Sequence, residues 1–275
     1  MRFSRIKAKL AQGQPTLITC CHFTDPSVYE MVSLLGFDGI WLDLEHHSTS
    51  DETAATLMRA ARVGTSDMVV RPAKGEFMRI GRILEAGAQG IMYPRCESAE
   101  EAEELVRWAK FAPQGARGVD GAGADNPYCM LPMPEYLQAA NEQTLLITQL
   151  ESPAALDAVD AIAHVPGVDV LMIGPGDLSV IAGIPYQFDH PLIQDAYQRV
   201  AAAAERAGKS WGTTSGGPEH SRRLLDLGAR FICHGADIIM VKRGMEAIQQ
   251  DYAPLGFMFD NRVPALTEEL RRAVS

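Results

Sequence analysis

Short apolar runs alternate along the chain with longer segments whose apolar positions recur every three or four residues. Continuous apolar runs of this length are typical of strands that are buried on both faces of a parallel sheet. The segments between them have the periodicity of amphipathic helices, and several begin with capping residues, such as Ser50 or Asp51 and the S-A-E-E sequence at Ser98. The order of the elements therefore predicts repeated parallel βα units.

Eight strands are predicted from this pattern, at Pro15–Cys20, Gly39–Leu42, Met68–Val70, Gln89–Tyr93, Leu145–Leu150, Val168–Ile173, Ser210–Thr213 and Arg230–Cys233. Helices are predicted at residues 1–10, Pro26–Leu35, Asp51–Val63, Glu76–Glu85, Ser98–Ala109, Pro191–Ala207, Pro218–Leu227 and Ala236–Gln250. A further helical segment is expected between the fifth and sixth strands. Eight βα units in about 240 residues have the size of a TIM barrel, so we predict an α/β (βα)8 fold.

Two segments depart from the βα pattern. Residues 253–275 form a tail with one more amphipathic helix, Ala265–Val274, which could pack on a neighbouring subunit. Phe111–Glu135 is rich in Gly, Pro and Ala and has little periodicity. A loop this long is usually functional, for example as a lid or a subunit contact, although a simple surface excursion is the alternative. Because there is no clear linker or low-complexity segment, we predict one domain over residues 1–275.

Composition narrows the class of protein. The 275 residues are 47% hydrophobic, which is enough for a full core, and they carry a net charge of -10 with a pI near 5.2. This charge argues against nucleic acid or an anionic membrane as a partner. The sequence contains no apolar run near the roughly 18 residues of a membrane span, and the basic N-terminus does not resemble a signal peptide. The five cysteines lack C-x-x-C spacing, which predicts reduced thiols in a cytoplasmic protein and no zinc cluster.

Two consecutive predicted strands each deliver an acid just past their ends. Glu151 follows Leu145–Leu150, and Asp177 follows Val168–Ile173 after a Gly-Pro-Gly turn. Because chemistry in such folds is located at the carboxyl ends of the strands, these carboxylates could bind a hard divalent cation with positions open for substrate. The alternative is ordinary capping: Asp177 could cap Leu178–Ile181, and Glu151 could lie in the first turn of the next helix.

Other polar residues follow the second, third, fourth and seventh strands: Asp43, Glu45, His46, His47, Arg71, Arg95, Thr213, Thr214 and Ser215. Asp43 could orient His46 for proton transfer, although His47 is equally near in the sequence. Arg71 could hold a carboxylate or an enolate oxygen, and so could Arg95, with a salt bridge at the rim as the alternative for both.

Other catalytic templates fit poorly. The sequence has no G-x-S-x-G, H-E-x-x-H or Walker motif. A Schiff-base aldolase needs a lysine inside the barrel mouth, and none of Lys74, Lys209 and Lys242 ends a convincing strand.

Six motifs that occur in order point to a known family. They are G-F-D-G-I-W-L-D-L-E-H, V-R-P, G-A-Q-G-I-M-Y-P, A-P-Q-G-A-R-G-V, Q-L-E-S and I-G-P-G-D-L-S, spread over roughly residues 5–250. Together they resemble the HpcH/HpaI aldolase family of metal-dependent class II pyruvate aldolases, which cleave 2-keto-3-deoxy acids. The resemblance implies a modified (βα)8 barrel with an extra C-terminal helix exchanged between subunits, in a hexamer built as a trimer of dimers. It also implies that Glu151 and Asp177 hold Mg2+, Mn2+ or Co2+, and that the amides of Gly176 and Asp177 bind the substrate carboxylate.

The same resemblance implies catalytic roles for four residues. His46 matches the catalytic histidine of the family, and Asp43 matches the acid paired with it. Arg71 matches the arginine that steadies the pyruvate enolate. Glu85 stands where the family often has an Asp that helps to orient the site, in the same subunit or across a subunit boundary.

The sequence also departs from the family pattern. Leu44 replaces a usual Gly, His47 is additional, Arg95 replaces an apolar residue near the metal, and Thr214 replaces an apolar residue on the acceptor side. These changes leave intact the residues that would bind the pyruvate half of the substrate. Arg95 and Thr214 predict an aldehyde acceptor that is more polar or acidic than usual.

We therefore expect a cytoplasmic carbon-carbon lyase that reversibly cleaves a 4-hydroxy-2-oxo acid to pyruvate and an aldehyde. The first alternative is a lyase that acts on a CoA thioester, such as a malyl or citramalyl group, with the same carboxylate pair. The second is a barrel that binds a keto acid without catalysis, since fold alone does not fix function.

Overall fold

In the computed structural model, which describes residues 3–274, eight parallel strands close into a barrel in chain order. The strands are β1 Thr16–Cys21, β2 Gly39–Asp43, β3 Asp67–Arg71, β4 Gly90–Tyr93, β5 Leu145–Leu150, β6 Val170–Ile173, β7 Ser210–Thr214 and β8 Phe231–Ala236. This confirms the predicted (βα)8 fold.

Thirteen helices accompany the strands within the described residues. They are α1 Arg5–Ala11, α2 Pro26–Leu34, α3 Asp51–Ala60, α4 Phe77–Ala86, α5 Ala99–Ala109, α6 Met133–Gln143, α7 Pro153–Asp157, α8 Val159–Ala163, α9 Pro175–Ile181, α10 Pro191–Ala207, α11 Pro218–Asp226, α12 Asp237–Tyr252 and α13 Val263–Val274. Short 3-10 turns occur at Ala61–Val63, Pro127–Cys129 and Ala253–Leu255. Residues 1 and 2 of the predicted first helix lie outside the described part, and α6 is a helix that the sequence pattern did not predict.

The strands are buried on both faces, which explains their continuous apolar runs. In β2, Trp41 belongs to the cluster that fills the barrel, whereas Ile40 and Leu42 belong to the layer between barrel and helices. Side chains that alternate between two buried layers must be apolar at every position.

The helix α1 closes the amino-terminal end of the barrel. Ile6 is fully buried in the barrel cluster, and its N–H donates to the Asp67 carboxylate over 2.8 Å. The Ser4 hydroxyl donates to the same carboxylate over 2.7 Å. The open mouth is therefore at the carboxyl ends of the strands, where the candidate residues lie.

Two helix starts confirm the predicted caps. The Ser50 side chain accepts from the Thr53 N–H, and the Ser98 side chain accepts from the Glu101 N–H. Each cap fixes the start of the helix that follows a strand and so fixes one end of the loop that carries candidate residues.

The Phe111–Glu135 segment lies at the amino-terminal end of the barrel, away from the mouth. The Ala124 N–H donates to the Glu85 carbonyl over 2.8 Å, and Arg62 donates to the Ala124 carbonyl over 2.8 Å. Glu85 lies in the last turn of α4 and Arg62 follows α3, and because both helices run back from the mouth, their ends mark the opposite side. The segment therefore does not cover the mouth of its own barrel.

The chain divides into two compact units, residues 1–237 and 238–275. The first contains all eight strands. The second contains most of α12 and all of α13, and its apolar side chains are exposed, as for Met245 and Met258. The assignment of residues 1–275 to one domain stays a prediction. None of the helices in residues 3–274 has the length and hydropathy needed to cross a membrane.

Candidate active site

The centre of the barrel mouth holds a buried ion pair between neighbouring strands. Asp43 ends β2 and Arg71 ends β3, and the two residues are direct partners in the strand register. The Arg71 Nε and Nη2 atoms donate to the two Asp43 carboxylate oxygens over 2.9 and 2.7 Å. Burial alone would raise the pKa of Asp43, but the hydrogen bonds and charge of Arg71 hold that pKa below its usual value. Asp43 is therefore a fixed anion that orients Arg71.

Arg71 is held on three sides. Its Nη1 atom donates to the Gln149 side-chain oxygen over 3.3 Å, and its guanidinium lies 4.7 Å from the centroid of the Trp41 ring. Its Nε atom is also 3.4 Å from the Glu45 carboxylate. A buried, planar donor in one fixed orientation suits recognition of a carboxylate or an enolate.

The predicted pairing of Asp43 with His46 stays a prediction, and the hydrogen bonds of Asp43 go to other residues. The Asp43 carboxylate accepts from Arg71 and from the Glu45 N–H, over 3.0 Å for the latter. The acid beside the His46 ring is Glu45, with 3.7 Å between His46 Nε2 and a Glu45 oxygen. Asp43 thus fixes the backbone turn that carries His46, while Glu45 lies next to its imidazole. The His46 side chain is 58% exposed, so it can reach a substrate in the mouth.

Glu45 joins three candidate residues, a role that we did not assign from the sequence. Its side chain is only 7% exposed and contacts Arg71 and His46, and its Oε1 atom accepts from Arg95 Nη2 over 2.9 Å. The available signal was a second acid in the D-L-E-H stretch at the end of β2.

The Glu151 carboxylate is buried at the end of β5. Its Oε2 atom accepts from the Arg95 N–H over 2.9 Å, and its Oε1 atom lies 2.1 Å from where a Cβ on Gly174 would be. Burial raises the pKa of Glu151 to about 7, against the lowering effects of the Arg95 N–H and of Arg71. The negative charge of Asp177 adds to the increase in this pKa. A buried carboxylate with so little compensating charge would gain from a cation.

The capping alternatives for the two acids do not hold. Ser152 is the N-cap of α7, and Gly174 is the N-cap of α9. Glu151 precedes the first cap, and Asp177 lies in the first turn of α9 with an exposed side chain. The carboxylate donors suit Mg2+ or Mn2+ rather than a soft metal. In residues 3–274 no three His, Cys, Asp or Glu side chains are grouped as a metal site.

Arg95 combines a constrained backbone with a paired side chain. Its φ of 46° lies in the left-handed region, which aims its N–H at Glu151. Its guanidinium pairs with Glu45, and its carbonyl accepts from Lys74 over 2.7 Å. The positive charge that we expected to attract an acidic acceptor is therefore already paired.

Thr214 and Gly176 lie where we predicted. Thr214 is half-buried at the end of β7, and Gly176 is in the first turn of α9 with open space where a Cβ would be. The open space allows a substrate carboxylate to approach the backbone there.

Glu85 is not brought together with the other candidates. It lies in the last turn of α4, beside the Phe111–Glu135 segment and at the opposite end of its own barrel. Burial raises the pKa of Glu85, while the charge of Arg117 opposes this increase. A role at the mouth of the same barrel is thus excluded, because a helix that follows a strand returns to the far end of the barrel.

His47 contacts a residue that sequence reasoning missed. The His47 and His22 rings meet edge to face with 4.9 Å between their centroids. The His22 Nδ1 atom is 3.3 Å from the Asp237 carboxylate, which also accepts from the His22 and Phe23 N–H groups. His22 follows β1 directly, so its position past a strand end was the available signal.

Comparison with known proteins agrees with this architecture. The model of the HpcH/HpaI aldolase/citrate lyase family matches residues 21–243. The chain is 35% identical to a hydroxypyruvate/pyruvate aldolase of Delftia acidovorans over 237 residues, covering 86% of this chain and 88% of the relative. It is 32% identical to a 4-hydroxy-2-oxo-heptane-1,7-dioate aldolase of Shigella sonnei over 242 residues, covering 88% and 92%. A solved HpcH/HpaI aldolase/citrate lyase family protein from Burkholderia cenocepacia has a TM-score of 0.85 at 31% identity, covering 91% of this chain and 99% of that one.

Proposed function

Because this chain belongs to the HpcH/HpaI aldolase/citrate lyase family, we propose that it is a lyase that reversibly cleaves a 4-hydroxy-2-oxo acid to pyruvate and an aldehyde. The observation that carries the proposal is the arrangement at the mouth. The charges of Asp177 and of the rigidly held Arg71 both act on buried Glu151, where Asp177 raises the pKa and Arg71 lowers it. Two acids and one arginine around one opening suit a 2-oxo acid that becomes an enolate.

The bond changes of the proposed cleavage are simple. The 4-hydroxyl loses its proton, the bond between C3 and C4 breaks, and its electron pair becomes the enolate of pyruvate while C4 becomes the aldehyde carbonyl. Protonation of the enolate at C3 then gives pyruvate. Arg71 faces the developing negative oxygen, where a fixed positive group stabilises the transition state more than the ground state.

His46 is the proposed proton carrier for the 4-hydroxyl. Its side chain is exposed, and its Nε2 atom lies 3.7 Å from the Glu45 carboxylate, which orients the ring. Asp43 acts indirectly, because it fixes both Arg71 and the turn before His46. The N–H groups of the first turn of α9, at Gly176 and Asp177, bind the substrate carboxylate.

A divalent cation is the proposed cofactor, with Glu151 and Asp177 as its protein ligands. When bound, it would act as a Lewis acid that stabilises the enolate charge. Its binding would also relieve the cost of keeping the Glu151 carboxylate ionised while buried. Magnesium, manganese and cobalt remain the expected ions.

We also propose that the enzyme is a cytoplasmic homohexamer, built as a trimer of dimers with an exchanged C-terminal helix. The support is the exposed apolar surface of residues 238–274, which includes Ile239, Met245 and Leu255. A second point is that Glu85 and the Phe111–Glu135 segment lie away from their own mouth and are free to act at a neighbour's mouth. Light scattering of the purified chain would test the hexamer, and a monomer at micromolar concentration would contradict it.

The proposed chemistry can be tested without knowing the aldehyde. Pyruvate methyl protons should exchange with deuterated water, as followed by NMR, in the presence of Mg2+ or Mn2+ and not with EDTA. Glu151→Gln should abolish the exchange, whereas the control Glu100→Gln, at an exposed position in the first turn of α5, should not change it. Absence of exchange with any metal would refute the pyruvate assignment and favour a CoA thioester donor or a non-catalytic barrel.

A further inference from the structure

A cavity of about 620 Å3 lies beside the candidate active site, next to the end of β7 and the helices α10 and α11. Pro175 and Thr214 line its edge nearest to the mouth. Pro175 directly precedes Gly176 and Asp177 in α9, so the cavity begins where the proposed pyruvate site ends. Sites for small molecules commonly have roughly 300–1,000 Å3, so this space can hold the part of a substrate beyond the bond that breaks.

His220 supplies the cavity with a hydrogen-bond donor of fixed identity. Its Nδ1 atom accepts from the Gly216 N–H over 3.1 Å, so the ring proton must be on Nε2. Burial and the charge of Arg223 lower the pKa of His220, which keeps the ring neutral. Across residues 3–274 the structure records no second hydrogen bond for this ring, so its Nε2–H is available to a ligand.

The charges around the cavity are mixed. Arg223 lines it from the next turn of α11, Asp189 and Glu219 line it as well, and all three residues are exposed to solvent. No ion pair involves any of these three side chains within the described part of the chain. With His220 neutral, one cation faces two carboxylates. The cavity is therefore a poor site for an anionic group, because the acids would repel it.

The same walls suit hydroxyl groups. A hydroxyl both donates and accepts, so it can donate to Asp189 or Glu219 and accept from Arg223 or His220. Buried Tyr197 adds an apolar ring for the carbon skeleton. The charge of Arg95 is already paired with Glu45, so Arg95 does not favour a carboxylate instead.

From this arrangement we propose that the cavity binds the tail of the aldehyde, and that this tail is uncharged and polyhydroxylated, as in a short aldose. The inference rests on the proposed aldol reaction and specifies its acceptor. His220 and Arg223 are the proposed donors to the hydroxyl groups, and Asp189 and Glu219 are the acceptors.

The test compares three four-carbon aldehydes with pyruvate in the direction of synthesis: D-erythrose, butanal and succinic semialdehyde. They have the same chain length and differ in carrying hydroxyl groups, no polar group or a carboxylate. We expect the highest kcat/KM for D-erythrose. His220→Leu and Arg223→Gln should each lower the ratio of kcat/KM for D-erythrose over butanal by roughly 3-fold to 10-fold, because each removes one hydrogen-bond donor to a hydroxyl. A ratio within one variant cancels any loss of folded enzyme.

Arg222→Gln is the matched control. Arg222 is the exposed neighbour of Arg223 on α11 and does not line the cavity, so this change should leave the ratio within about twofold of wild type. A wild-type preference for succinic semialdehyde or butanal would overturn the inference. It would also be overturned if neither His220→Leu nor Arg223→Gln changed the ratio of kcat/KM for D-erythrose over butanal. The exchange of pyruvate protons separates the two proposals. Exchange without a preference for D-erythrose overturns this inference alone, and absence of exchange overturns both.

Discussion

Gly174→Ala should disable the proposed cation site by steric contact alone. The new Cβ would lie 2.1 Å from Glu151 Oε1, 2.6 Å from its Cγ and 2.7 Å from its Cδ, whereas real Cβ contacts stay beyond 3.0 Å. The backbone itself accepts alanine, since φ is -98° at this position. The carboxylate must therefore move by about 1 Å, and a misplacement of that size can cost on the order of 100-fold in rate.

The displaced carboxylate would also lose its bond to the Arg95 N–H, now 2.9 Å long. Leaving a buried donor without a partner costs about 1–3 kcal/mol, so a modest loss of stability should accompany the loss of activity. The assay is the deuterium exchange of pyruvate at increasing Mn2+. We expect a rate roughly 100-fold lower and a higher apparent Kd for the metal.

Gly81→Ala is the control for this experiment. Its Cβ would meet Arg117 Cγ at 4.0 Å, an ordinary contact, on the interior of α4 where alanine is favoured. The rate should not change, and stability should rise by up to about 1 kcal/mol. An exchange rate in Gly174→Ala within threefold of wild type, at the same metal concentration, would refute the assigned position of Glu151.

Three further predictions concern the residues around the mouth. The pKa of Glu151 is about 7 in the folded protein and 4.5 for a free carboxyl. Between these two pH values the folded, metal-free protein keeps a proton on Glu151 that the unfolded chain has released. The free energy of unfolding therefore falls as pH rises through this range. Glu151→Gln should remove this dependence on pH and should stabilise the protein at pH 8 in EDTA by up to about 3 kcal/mol, which raises the Tm. An unchanged pH profile of the Tm would contradict this expectation. Arg71→Met should destabilise the protein by about 3–5 kcal/mol in urea titrations because Asp43 is left charged and buried, and adding Asp43→Asn should restore part of the stability but no activity. His46→Gln should lower kcat for aldol cleavage by about 100-fold or more with an unchanged Tm, since the ring is exposed, and a large drop in Tm would indicate a structural role instead.

The strands were predictable because both of their faces are buried. Leu145–Leu150 was placed with its exact bounds, since every position is buried and the residues around it are polar. The predicted strand Val168–Ile173 begins two residues before β6, because Val168 is also buried but lies in the segment that leads into β6. Hydrophobicity reports burial and does not separate a strand from the turn that leads into it.

The helix α6 was missed for a different reason. Its sequence begins M-P-E next to Pro132, which reads as a break in periodicity. Proline is well tolerated in the first turn of a helix, because the N–H groups there have no partner within the helix. The composition of the preceding loop therefore hid the start of a regular element.

The candidate site was predictable in membership and less so in pairing. Position past a strand end was enough to select Arg71 and Glu151, which the barrel does bring to one mouth. The partner of Asp43 was not predictable from spacing along the chain, because the strand register places Arg71 directly opposite and its charge binds the carboxylate more tightly than a nearby histidine can. Glu85 was assigned from a resemblance, which carries no information about which end of which barrel the side chain faces.

The left-handed backbone of Arg95 has a consequence for anyone who interprets mutagenesis at this position. Its main-chain N–H donates a hydrogen bond to the Glu151 carboxylate, whereas its guanidinium donates to the Glu45 carboxylate. Alanine would keep the strained φ of 46° and remove only the guanidinium, while glycine would remove both the guanidinium and the strain. The difference in stability between the two variants thus reports the conformational strain, offset by the greater backbone entropy that glycine loses on folding. Their shared loss of activity measures the charge, so one arginine can yield two independent quantities.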